Sequence, residues 1–307
     1  MSERLVAVNG TRLFLDLRGA DSGPPLLYLH GGPGMSCYEF MAWQGDRLSR
    51  RLFLVGMDQR GVLRSDPLGE GEVLTEDVLV DDCEAVRETL DIPQWTVLGH
   101  SFGGRLALRY ACRYPDRVAA VIFESPGWDF AETERRRLPA AAAIFDELGD
   151  HDRARRCRKL ATAPPADARE SFELVGELVE HGRYDDLYFH QPEARRRWKE
   201  IQDRPFPDEL QSRARAHQEQ ALNGMLEPVT PLLANVTMPA TLIVGGQDLV
   251  TGPEQVATFE RLVPHGRVVR FPNASHFVQL EEPEAYAEAV FTGLARSGTH
   301  RPGRTSS

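Results

Sequence analysis

Apolar residues in this chain gather in short unbroken runs, separated by longer stretches in which they recur at helical spacing. Residues 26–29, 52–57, 95–98, 118–123 and 240–244 are such runs. Their length and lack of alternation predict strands buried on both faces of a sheet. Residues 4–8 and 11–17 flank Asn9-Gly10, a pair suited to a type I′ turn, which predicts a leading hairpin. Residues 267–271 predict a last strand. Helical spacing covers residues 75–90, the stretch from residue 102 to about 114 before Pro115, residues 253–262 and residues 283–296. Strand and helix alternating in this way predict right-handed crossovers and a mostly parallel, eight-stranded sheet flanked by helices.

The alternation is interrupted once. Between residues 126 and 237 the chain is rich in alanine, arginine and glutamate, helical in period over 138–148 and 169–181, and broken at Pro164-Pro165, Pro192, Pro205 and Pro207. Because the α/β pattern resumes at residue 238, this stretch is expected to be a helical insertion. Residues 1–125 and 238–296 then form one core. Residues 297–307 lack apolar side chains beyond proline and are expected to be a disordered tail.

Composition narrows the function. A length of 307 residues with 41% hydrophobic and 27% charged residues is that of an ordinary soluble globular protein, and a net charge of −10 argues against a nucleic-acid partner. Arginine runs at 135–137 and 195–197 are surrounded by acids and read as solvated helix faces. The first residues lack an apolar signal segment, and no run is long enough to span a bilayer. Cys37, Cys83, Cys112 and Cys157 have no metal or redox spacing. A cytoplasmic protein without a membrane partner is expected; the sequence leaves a homo-oligomer open.

The candidate chemistry starts at Gly99-His100-Ser101-Phe102-Gly103-Gly104, between a predicted strand and a predicted helix. Glycines two before and two after Ser101 permit a sharp turn that lifts the hydroxyl above the sheet edge, with the Phe102 amide placed to donate to an oxyanion. A serine hydroxyl needs a base, and the base needs an orienting acid. Asp248 and His276 each follow a predicted strand, 28 residues apart, in the chain order serine, acid, histidine. His265 precedes its strand and is expected at the opposite edge, while His100 is expected to shape the turn. His30-Gly31-Gly32-Pro33-Gly34 follows the first buried strand, where the second oxyanion donor is expected from Gly32, with Gly31 as the alternative.

Together with Asp58-Gln59-Arg60-Gly61, Ser65-Asp66 and Gly245-Gly246-Gln247-Asp248, these motifs make the chain resemble the α/β-hydrolases and, within them, the proline iminopeptidase family of serine peptidases. The resemblance runs from about residue 6 to residue 295. It departs at Phe102, where tryptophan is frequent, and at Gly246-Gln247 before the acid. It implies a triad of Ser101, Asp248 and His276, an oxyanion hole from Gly32 and Phe102, a helical cap over residues 126–237, no cofactor and no metal. It also implies cap glutamates that hold the ammonium of a short-peptide or other small-molecule substrate. Glu173, Glu177 and Glu180 share one helical face by spacing and are the candidates. Release of an N-terminal proline or other small residue is the expected reaction. Hydrolysis of a small ester, thioester or lactone is the alternative, and a non-catalytic ligand-binding protein is a distant one.

Overall fold

The computed structural model describes residues 1–162, 168–203 and 206–295. The expected tail at 297–307 lies outside these residues. The Asn9-Gly10 turn joins β1 (Ser2–Val8) to β2 (Thr11–Arg18), both its residues having positive φ. Then follow β3 (Pro25–Leu29), α1 (Tyr38–Leu48), β4 (Phe53–Met57), α2 (Glu76–Thr89), β5 (Trp95–His100), α3 (Phe102–Arg113) and β6 (Val118–Glu124). Helix α2 begins where the spacing predicts, because the Thr75 hydroxyl accepts from the Val78 amide. Helix α1 is not among the predicted elements; its N-terminal residue Cys37 makes no side-chain cap and Gly45 interrupts its propensity. Burial of Phe40, Met41 and Leu48 holds it in place.

Between β6 and the next strand the regular elements among the described residues are all helices: α4 (Phe130–Glu147), α5 (His151–Thr162), α6 (Ala168–Gly176), α7 (Pro192–Gln202) and α8 (Asp208–Met225), with short 3₁₀ turns. Helix α4 starts eight residues before the predicted 138–148 segment, on an Asp129 side chain that accepts from the Glu132 amide, and it carries Pro139 inside. The α/β pattern then resumes with β7 (Ala240–Gly245), α9 (Pro253–Leu262), β8 (Arg267–Phe271), α10 (Val278–Glu281) and α11 (Pro283–Ala295). The eight strands lie in the order β1-β2-β4-β3-β5-β6-β7-β8, with β1 and β2 antiparallel and every pairing from β4 through β8 parallel.

Alternate residues of the central strands feed two cores. Leu27, Val55, Val97, Val121 and Leu242 face α2, α3 and α9, whereas Tyr28, Leu54, Leu98, Ile122 and Ile243 face α1 and α11. The helical insertion has a third cluster of its own, around Leu138, Phe145, Leu174 and Trp198, which also takes in Phe277 and Leu280 from the sheet side.

Both ends of the insertion are fastened to α3 by one side chain. Arg105, fully buried, donates to the Glu76 carboxylate at 2.8 Å, to Trp128 O at 3.1 Å, and to Gly224 O and Glu227 O at 3.1 and 2.9 Å. Trp128 lies where the chain leaves the core, and Gly224 and Glu227 where it returns. A buried guanidinium so placed serves three carbonyls and one carboxylate; Trp128 O also accepts from Val229 N and Glu76 is also paired with Arg109, which leaves Gly224 O and Glu227 O as the acceptors that lean on it most. Replacing Arg105 by methionine is expected to cost roughly 3–5 kcal/mol of stability in a urea titration, because Glu76 loses its fully buried partner and Gly224 O and Glu227 O lose their donor. Arg105→Lys should recover less than half of that loss, since a single ammonium cannot span four acceptors.

Candidate active site

The turn after β5 is a steric necessity before it is a chemical one. A Cβ on Gly99 would lie 2.2 Å from Gly103 O, and one on Gly103 would lie 2.1 Å from Leu29 O, so the helix closes against the sheet only over bare glycine. Ser101 takes φ 53° and ψ −118° at the apex, a conformation that costs energy in any non-glycine residue. It is held by Ser101 N donating to Glu124 O at 3.0 Å, and by Gly104 N and Gly127 N donating to Ser101 O at 2.9 and 3.1 Å.

Ser101 and His276 open into one cavity of about 670 Å³, between the carboxyl edge of the sheet and the helical insertion. Asp248 lies behind His276, fully buried, with its Oδ1 3.1 Å from the ring Nδ1. Val250 N and Thr251 N donate to the same carboxylate at 2.8 and 3.2 Å. Burial pushes the Asp248 carboxyl upward, but the charge and hydrogen bond of His276 and the two amides outweigh it, so its pKa falls below the usual value. For His276, burial is the larger influence: it lowers the pKa below 6.5 despite the attraction of Asp248. The imidazole is therefore neutral at neutral pH, the state a general base requires.

Gly32 and Phe102 both line the cavity beside Ser101. The loop that carries Gly32 is set by its neighbours. His30 Nδ1 donates to Gly31 O at 3.1 Å, while its Nε2 accepts from Gln59 N at 3.0 Å. Burial lowers the His30 pKa to about 4, which keeps that tautomer neutral. The Asp58-Gln59-Arg60-Gly61 segment is thereby a clamp. Gln59 Nε2 donates back to His30 O at 3.0 Å, and Asp58 receives Cys37 N at 2.9 Å and Arg64 Nε at 2.7 Å. Arg60 pairs with Asp82 at 2.7 Å.

The insertion reaches the site directly. Tyr188 O accepts from His276 N at 3.1 Å, Arg136 donates to Asp248 O at 3.1 Å, and Thr133 Oγ1 donates to Val250 O at 2.8 Å. His265, by contrast, bonds Met238 O at the amino ends of the strands, away from this cavity.

Glu173 and Glu177 are not among the residues that line the cavity. Their shared face points outward because Leu174, Val175 and Leu178 turn inward; Glu173 is exposed, and Glu177 pairs with Arg153 on the surface. The buried carboxylate in the cavity wall is Glu134 of α4, 3% exposed and paired with Arg137 at 2.5 Å. Burial raises the Glu134 pKa, partly countered by that arginine. Neither of its oxygens accepts a hydrogen bond of good geometry among the described residues. Arg137 also donates to Tyr188 Oη at 2.9 Å and lies 4.7 Å over the Phe172 ring. The expectation of a solvated arginine face therefore fails at Arg137, which is covered by Phe172 of α6 and by Tyr188. The one sequence signal for the pair is its i, i+3 spacing.

Residues 24–283 match the α/β-hydrolase fold family. A proline iminopeptidase of Heyndrickxia coagulans is 26% identical over 298 residues, covering 94% of this chain and 97% of its own. Another, of Neisseria meningitidis serogroup A, is 28% identical over 288 residues, 86% of each. Among solved structures, a proline iminopeptidase-related protein of Thermus thermophilus superposes with a TM-score of 0.75 at 25% identity, covering 96% of this chain and 98% of that one. An esterase of Thermogutta terrifontis shares the fold at a TM-score of 0.68 and 23% identity, covering 97% and 100%. With this fold and these relatives, the chain belongs to the α/β-hydrolase fold family, as a proline iminopeptidase-like serine hydrolase.

Proposed function

We propose that the chain is an aminopeptidase that releases an N-terminal proline or other small residue from short peptides or aminoacyl amides by way of an acyl-enzyme. In this reading Ser101 Oγ attacks the scissile carbonyl as its proton passes to His276, and Asp248 holds the ring. The amides of Gly32 and Phe102 receive the oxyanion. His276 then gives the proton to the leaving amine, and a water repeats the sequence to free the acyl group. The carrying observation is Glu134: a carboxylate buried in a mainly apolar cavity, with acceptor capacity unused, matches a substrate ammonium. Similarity to proline iminopeptidases along nearly the whole chain supports the same reading. The cavity volume accommodates a small ligand and excludes a folded protein.

One observation favours a second reading, a small-ester hydrolase or lactonase. Arg137 already offsets the Glu134 charge, so the wall can also take a neutral polar group.

The readings separate on two panels, aminoacyl p-nitroanilides with free or blocked amines and short p-nitrophenyl esters. Glu134→Gln is expected to raise KM for the free-amine proline substrate by roughly 10- to 100-fold, with ester turnover changed less than about threefold. Hydrolysis of esters alone by the wild type would replace the peptidase reading with the second one. Ser101→Ala should abolish both activities. Because the base must be neutral and burial depresses His276, activity is expected to be full at neutral pH. It should fall only as pH drops through a midpoint below 6.5, read from kcat/KM across about pH 4–8.

A further inference from the structure

Beneath His276 lies a second acid and imidazole that the reaction as proposed leaves unused. Glu124 ends β6 and His100 ends β5; both are fully buried. His100 Nδ1 is 3.5 Å from Glu124 Oε2, and neither ring nitrogen of His100 makes a hydrogen bond among the described residues. The His100 ring sits 4.8 Å from the His276 ring and 4.9 Å from that of Phe277. Glu124 is fixed from the other side, where Oε1 accepts from Gln279 N at 3.1 Å and Oε2 from Tyr286 Oη at 3.0 Å. A carboxylate gripped in this way at the floor of a buried site cannot turn to water, so its field acts on what is packed above it.

We infer that Glu124 is a positioning residue for His276, holding a fixed negative charge beneath the base, with His100 as the rigid spacer that sets its distance. This inference rests on the Ser101–His276–Asp248 reading. Charge on His276 appears only while the ring carries the serine proton, so a fixed anion below it favours that state over the resting one. The titratable groups around the base are Asp248 on the β7 side, His100 of β5, Glu124 of β6 and Tyr188 from the insertion. Glu124 raises the proton affinity of His276 and His100 lowers it. Tyr28 and Tyr286, which face Glu124, are pushed upward by burial and stay neutral.

The test uses the rate at which a fluorophosphonate labels Ser101, followed from about pH 4 to 8, so that the natural substrate is not needed. Glu124→Gln is isosteric and still accepts from Gln279 N. It removes the anion, makes the imidazolium less favourable, and should move the acid limb to lower pH by on the order of one unit. Labelling at the plateau should fall roughly threefold through a weaker base. Glu124→Asp keeps the charge and should keep the limb where the wild type has it, even if its melting temperature drops. A limb unmoved in Glu124→Gln, or moved equally in both variants, overturns the inference. Wild type that fails to label at all overturns the triad reading as well. Labelling that is lost in Ser101→Ala, with an unmoved limb in Glu124→Gln, overturns this inference alone.

Discussion

The approach of α3 to the sheet is the constraint on which the rest depends. With Gly103 against Leu29 O and Gly99 against Gly103 O, the strand-to-helix turn is closed so tightly that Ser101 has one position available. Its unfavourable dihedral is tolerated because three backbone hydrogen bonds over-determine it. The neighbouring loops are built to the same tolerance. A Cβ on Gly31 would come within 2.9 Å of Ser101 Cβ, so the loop after β3 has to pass the serine with bare backbone.

That crowding explains why so many polar side chains around the site serve geometry. Asp58, Gln59 and Ser65 bond to loop backbone, Arg60 bonds to Asn9 O and to Asp82 of α2, and His30 joins the two loops. Sequence motifs that look catalytic because they are rich in His, Asp and Arg are here mostly clamps. The residues that meet in the cavity are fewer, and they arrive from separate parts of the chain.

The fold is legible in the sequence because both cues for it are local. Buried parallel strands appear as unbroken apolar runs, and the Gly-flanked serine states its own turn. Helix α1 is not legible, for want of a cap and because Gly45 weakens its pattern; tertiary burial of Phe40 and Met41 supplies what propensity lacks. The insertion is legible as helical but not in its orientation. Spacing puts Glu173 and Glu177 on one face without saying whether that face looks at the cavity, and Leu174, Val175 and Leu178 settle it outward. Glu134 and Arg137 are hidden for the opposite reason. In a run of arginines and glutamates, burial is decided by other helices, and no period within α4 announces which two charges lose their water.

Arg105 gives the insertion a property that its own helices do not. Since the departing and returning stretches of chain meet at one guanidinium, the 126–237 segment enters and leaves the core at a single locus, like a bracket on one bolt. Between those two points the segment touches the core again, through Tyr188 O on His276 N, Arg136 on Asp248 O and Arg213 on Ser65 O, so a change within it is felt at the base as well as in the cavity.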